Sequence, residues 1–299
     1  MSTVDQLVGR GLLSRDVPLG PLTTYKTGGP ARLFAEIGTR DDLDALISSG
    51  LSSTCEVLVL GRGSNLLVSD EGFDGLVVHL VGDFLSVDVE EEIVTAGGAA
   101  PLSRVARKAV DSGLTGLEFF VGIPGSVGGA VRQNAGCFGV ETSDRLLEAS
   151  IVDLGTGERR LANVSDLELS YRHSNVGARQ LVESASFQAR RGDPDGGRRL
   201  MREVTRWRKE NQPGGTLNAG SVFKNPPEVA AGELIDRLGL KGMRVGDVSV
   251  SEKHANFFVA GPNATAADIF RLVADVKDTV FERSGTILEP EIQFVGFEK

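Results

Sequence analysis
The chain has 299 residues, 40% of them hydrophobic and 24% charged, a composition that suits a folded globular protein with room for two or three domains. Its formal net charge of -9 argues against broad nucleic-acid binding, which needs a basic patch or excess, although local Arg and Lys can still receive an anionic substrate. No run reaches the roughly 18 apolar residues of a membrane span, and the first residues have neither the basic region nor the apolar core of a signal peptide. Cys55, Cys137 and three scattered histidines make no metal or disulfide framework, so a reducing cytoplasm is the expected compartment.

The elements read as three regions: 1–80, 81–195 and 196–299. In the first, 31–37 alternates like a strand and 41–49 has the apolar spacing of a helix, with Leu43, Ala45, Leu46 and Ile47. Segments 56–60 and 75–80 read as further strands, giving a small β-α-β-β unit. In the second, 86–90 and 92–95 alternate, and Pro101 opens a helix whose stripe is Leu102, Val105, Ala106 and Ala109. Residues 149–154 and 158–164, joined by Gly155-Thr-Gly157, read as a hairpin, and 181–190 as another strand. The stretch 190–197 is polar, rich in breakers and a plausible boundary. The third region starts with a helix over 198–211, with Leu200, Val204 and the lone Trp207 on one face. On such a helix Trp207 is expected in the core rather than stacked on a ligand. A long helix follows near 264–283, with Ile269, Val273, Val276 and Val280 at helical spacing, and a strand over 286–295 ends the sequence.

One stretch is dense in glycine: Gly122, Ile123, Pro124, Gly125, Ser126, Val127, Gly128 and Gly129, running on to Asn134, Ala135 and Gly136. Gly tolerates positive φ and lets another molecule approach bare backbone, and successive freed N–H groups suit phosphate oxygens. A second loop, Gly61, Arg62, Gly63, Ser64 and Asn65, directly follows the apolar run 57–60. Each loop alone could simply mark a tight turn. Together they suggest a cofactor bearing a diphosphate. Neither fits the dinucleotide fingerprint G-x-G-x-x-G between strand and helix, because Asn65 is followed by the strand-like Leu66-Leu-Val68, and no Gly-Lys-Ser/Thr completes a P-loop.

Six motifs in order extend this reading: Tyr25-Lys-Thr-Gly-Gly-Pro-Ala31, the two glycine loops, Tyr171-Arg172, Gly220-Ser-Val-Phe-Lys-Asn-Pro226 and Leu288-Glu-Pro-Glu291. From about Pro18 to Gly296 the protein resembles the UDP-N-acetylenolpyruvoylglucosamine reductases, in the short-loop subclass that lacks an extra substrate-covering loop. The resemblance implies an α+β protein. Its FAD-binding fold has two subdomains of the vanillyl-alcohol-oxidase type and encloses the cofactor, and a C-terminal α+β domain closes over the substrate. It implies a cytoplasmic, monomeric NADPH-dependent UDP-N-acetylmuramate dehydrogenase of cell-wall precursor synthesis that binds no nucleic acid and enters no membrane. A hydride passes from NADPH to FAD and then to the vinyl carbon of UDP-N-acetylglucosamine enolpyruvate.

By the same resemblance Ser221 protonates the adjacent carbon, Arg172 faces the substrate carboxylate with its planar fork, and Glu291 polarises or orients the enol carboxylate. Alternation places Glu289 on the same face, so pattern alone does not separate the two glutamates. Tyr25, Thr27, Gly28 and Gly29 are expected along the flavin or its ribityl group. Gly61, Arg62, Gly63, Ser64 and Asn65, with residues 122–129 and 134–136, are expected at the diphosphate. No His stands in the first loop, so the FAD should be noncovalent. Tyr171, Lys224 and Asn225 are the expected substrate ligands beside Arg172, and no metal site is expected. Two positions depart from the family pattern: Asn211 stands where relatives often carry Lys, and Gln293 where they often carry Arg. The glycine loops would equally suit an FAD-dependent oxidase acting on a sugar or hydroxy acid, whereas a non-catalytic relative should have lost Ser221, Arg172 or Glu291.

Overall fold
The computed structural model describes residues 2–297, so the ends of the first and third expected regions, Met1 and 298–299, lie outside the described residues. The described residues form two compact units, one made of residues 2–16, 32–62 and 75–207, the other of 17–31, 63–74 and 208–297.

The first unit contains two sheets. One has the strand order Leu13–Pro18, Pro30–Ile37, Phe73–Leu80, Val57–Leu60, with the last two parallel. The helix Arg40–Ser48 starts where Thr39 and Asp42 form a reciprocal capping box. Its Leu43 and Leu46 are fully buried in one core with Ala35, Ile37, Leu76 and Val78. The second sheet is antiparallel, in the order Arg159–Asn163, Leu146–Asp153, Gln180–Gln188, Ile93–Gly97, Val87–Glu90. The helix Leu102–Asp111 buries Leu102, Val105, Ala106, Ala109 and Val110 in a core shared with Val94, Ala96, Ala185 and Phe187. Pro101 is its N-cap, where the missing N–H costs nothing.

The second unit is organised around the helix Ala266–Ser284. Thr265 and Asp268 form a capping box at its start, and Gly285, at φ 72°, ends it. Its buried stripe, Ile269, Leu272, Val273, Val276 and Val280, shares a core with the antiparallel strands Arg244–Val245, Val248–Val250 and Phe258–Ala260 and with the helix Ala231–Arg237. Strand Gln293–Val295 lies parallel to Leu66–Val68, with Gln293 opposite Leu66.

Three expectations are corrected. The closing strand is confined to Gln293–Val295, and Pro290, which has no N–H for a ladder, makes only an isolated bridge to Phe223. The helix expected at 198–211 begins earlier, at Pro194, because the Asp193 carboxylate accepts the N–H groups of Asp195 (3.0 Å) and Gly196 (2.8 Å). Trp207 is 44% exposed and meets Phe138 edge to face at 5.0 Å, outside the core. The buried line of that helix is Gly197, Met201 and Val204, so Leu200 and Trp207 sit about 70–90° off it and face outward.

Asp70 accepts the first two N–H groups of the long helix, Ala266 and Ala267, at 2.9 Å each. Asp70→Ala is therefore expected to cost about 1–2 kcal/mol and to lower the melting temperature by roughly 2–4 °C in calorimetry, while Asp70→Asn retains part of the cap.

Candidate functional site
The start of the first glycine loop lies beside the second. A Cβ on Gly61 would sit 2.7 Å from the Ser126 hydroxyl oxygen, so the bare glycine is what lets that hydroxyl occupy its place. Ser126 is buried and caps the helix Val127–Gln133, accepting the Gly129 N–H at 3.4 Å. The segment before this helix is stitched to 98–102: Leu102 N–H donates to Gly125 C=O, Val127 N–H to Ala100 C=O and Gly128 N–H to Gly98 C=O. Val127 and Gly128 therefore spend their amides on the protein. Among the described residues, the backbone N–H groups of Arg62, Gly63, Ser64, Gly125 and Ser126 donate to no protein acceptor. Donors of this kind, on two glycine loops, fit the phosphate oxygens of a dinucleotide. Gly122 serves packing, because a Cβ there would lie 2.6 Å from Cys137 Sγ.

Asn134, Ala135 and Gly136 follow the capped helix. Asn134 is buried in the left-handed region at φ 43°, which Asn tolerates better than most residues. Its Nδ2 donates to a Glu141 carboxylate oxygen (2.8 Å) and to Ser170 C=O (3.1 Å), and its Oδ1 accepts the Ser143 N–H (2.9 Å). This ties the second glycine loop to the Tyr171-Arg172 segment. Arg172 lies over the Tyr171 ring at 4.9 Å and places Nη1 3.7 Å from Glu141 Oε1. It too has positive φ, 54°, a conformation that costs a residue with a Cβ and orients this guanidinium.

The other candidates lie in the second unit. Tyr25 is completely buried in that unit's core, and burial pushes its phenol above the ordinary pKa. The Thr27 hydroxyl is also buried and has no hydrogen-bond partner among the described residues. A Cβ on Gly28 would lie 2.7 Å from Val68 Cβ, on Gly29 2.2 Å from Asp70 O, and on Gly63 2.3 Å from Leu22 O. These glycines are required by the close approach of one backbone segment to another.

Gly220, at φ 78°, precedes a half-buried Ser221. Val222 C=O accepts the Glu291 N–H (2.8 Å), and Lys224 N–H donates to Glu289 C=O (2.9 Å). Ser221 and Glu291, far apart in sequence, thus sit on paired segments. Asn65 fastens the same place: its Nδ2 donates to Glu291 C=O, and its C=O accepts the Gln293 N–H, both at 3.0 Å. The two glutamates that pattern alone left equivalent have different surroundings. Glu289 is exposed and pairs with Lys224 at 2.6 Å, whereas Glu291 is half-buried. Asn225 Oδ1 accepts the Ala231 N–H (3.0 Å) and so supports the helix Ala231–Arg237. Exposed Asn211 ends its helix, and Gln293 lies in the closing strand. Sequence reasoning missed Glu141, which carries no motif. It also missed Asn256, whose only signal is a polar residue inside the apolar run Ala255 to Val259.

Glycine loops with unspent amides, on an α+β framework with a second α+β unit, suit an FAD-binding protein. An FAD-binding domain model matches residues 31–162, and the C-terminal domain model of UDP-N-acetylenolpyruvoylglucosamine reductase matches 212–295. The reductase of that name from Rhodopseudomonas palustris (strain BisB5) is 43% identical over 288 residues, covering 96% of this protein and 92% of the relative. The Parvibaculum lavamentivorans reductase is 41% identical over 290 residues, covering 97% and 93%. The solved structure of the Thermus caldophilus reductase has a TM-score of 0.81 at 35% identity, covering 95% of this protein and 98% of that one. The chain belongs to the UDP-N-acetylenolpyruvoylglucosamine reductase family. It is a flavin-dependent oxidoreductase of peptidoglycan precursor synthesis, with FAD as cofactor. No helix among the described residues is long and apolar enough to cross a membrane.

Gly61→Ala is expected to turn the Ser126 hydroxyl out of its cap, a loss of about 1 kcal/mol. It should weaken FAD retention several-fold, measured from the flavin absorbance that survives gel filtration and by titration of the apoprotein.

Proposed function
We propose that this protein reduces UDP-N-acetylglucosamine enolpyruvate to UDP-N-acetylmuramate with NADPH as hydride donor, acting as a cytoplasmic monomer. The observation that carries the reading is the pairing of the Ser221 and Glu291 segments in the second unit, on the motifs that distinguish this family from other flavoproteins. When bound noncovalently, FAD supplies the two-electron relay from NADPH to the terminal vinyl carbon of the substrate. The amides of 62–64 and 125–126, which donate to no protein acceptor among the described residues, would hold its diphosphate.

The protein's own residues do the rest. As hydride arrives at the vinyl terminus, negative charge develops on the adjacent carbon and spreads into the carboxylate. Arg172 receives that carboxylate, held in place by Glu141 and the Tyr171 ring. Glu291 orients it. Ser221 gives its hydroxyl proton to the carbanionic carbon, and the alkoxide regains a proton from water. Among the described residues the Ser221 hydroxyl makes no hydrogen bond to protein, so no protein acceptor competes for that proton. Tyr171, Lys224 and Asn225 serve the substrate's sugar and diphosphate.

The test is anaerobic. Protein reduced with one equivalent of NADPH is mixed with the enolpyruvyl substrate, and flavin absorbance is followed. Rapid return of the oxidised spectrum only with substrate supports the proposal. Reduced flavin that ignores this substrate but reacts quickly with oxygen supports an oxidase instead. Ser221→Ala is expected to slow substrate-driven reoxidation by about 10²–10⁴-fold while sparing reduction by NADPH, since general acid catalysis has that size. Equal damage to both half-reactions would remove Ser221 from the proton-donor role.

A further inference from the structure
We infer that Asn256 is a positioning residue that holds Ser221 in place through the backbone of the two residues after it. Val222 and Phe223 are completely buried, so their four backbone polar groups cannot turn to water. Asn256 satisfies three of the four. Its backbone carbonyl accepts the Val222 N–H (2.8 Å). Its carboxamide Oδ1 accepts the Phe223 N–H (2.9 Å), and its Nδ2 donates to the Phe223 carbonyl (2.8 Å). The fourth group, the Val222 carbonyl, accepts the Glu291 N–H.

The carboxamide acts here as a short piece of strand. Only a carboxamide presents a donor and an acceptor in one plane at this reach; Asp would only accept, and an apolar residue would do neither. Asn256 is itself only 2% exposed, and its N–H points at His254 Nδ1 (3.3 Å). Its neighbours do not explain an amide by packing, since Ala255, Phe257 and Phe258 are all buried apolar residues. On the other side of Ser221 stands Gly220, whose missing Cβ meets no atom within 4 Å. Ser221 is thus anchored from its C-terminal side, and a shift of about 1 Å there would be worth on the order of 10²-fold in rate.

The inference rests on the proposed role of Ser221, and the test separates the two. Full-length, FAD-loaded Asn256→Ala is compared with wild type, Ser221→Ala and the double variant. Hydrogen exchange should speed up at the 223 amide of Asn256→Ala, which loses its side-chain acceptor, while the long helix 266–284 stays protected. Flavin reoxidation by substrate should slow by about 10–10²-fold, and flavin reduction by NADPH should stay within about twofold. Adding Asn256→Ala to Ser221→Ala should slow reoxidation no further, because residues acting as a unit are not additive. Losses that multiply in the double variant overturn the inference alone, as does a wild-type reoxidation rate in Asn256→Ala despite a deprotected 223 amide. A Ser221→Ala enzyme that reoxidises normally overturns the proton-donor reading and this inference with it. Should Asn256→Ala fail to fold, Asn256→Asp keeps the volume and one acceptor, removes the donor to Phe223, and must give the same coupling.

Discussion
A buried backbone segment must find all its hydrogen bonds inside the protein, and in the second unit that requirement falls on Val222 and Phe223. They belong to no regular strand, yet each of their backbone groups has a partner: Asn256 on one side and Glu291 on the other. The 291 position is fastened in turn by Asn65, just before the strand that pairs with 293–295. Four segments distant in sequence are joined by this series of bonds. The residues it displays, Ser221 and Glu291, are those on which the proposed reduction depends.

The first unit solves a different problem, the exposure of backbone amides at a defined place. Gly61 leaves room for Ser126, Ser126 caps the helix behind it, and pairing of 125–128 with 98–102 fixes the loop. What remains is a small set of unspent N–H groups at 62 and 125–126. Asn134 extends the frame to Arg172 through Ser170 and Glu141. The second glycine loop and Arg172 are therefore parts of one frame of hydrogen bonds and an ion pair, and a change at Asn134 would reach both.

The electrostatics have a local logic that the net charge of -9 conceals. Arg172 faces Glu141, and Lys224 faces Glu289. Each candidate cation for an anionic substrate has a carboxylate at hand. Such pairs hold long, flexible groups in a productive direction. Being partly exposed they contribute little to stability, so a substrate carboxylate or diphosphate can compete for the same cation.

Much of this was legible in the residues themselves. Periodicity located the helices at 40–48, 102–111 and 266–284 and the strands around them, because burying one face imposes a repeat that any window reveals. The glycine loops were legible as well, since special backbone geometry restricts residue type, and the Ser221 and Glu291 motifs stood out through the family resemblance. Trp207 was misread because helical spacing gives a stripe but not which neighbouring line of it meets the core. The separation of Glu289 from Glu291, and the parts played by Glu141 and Asn256, were decided only by tertiary structure. Each depends on which distant backbone groups arrive unpaired at that point, and a hydrogen bond across many residues leaves no period in the sequence.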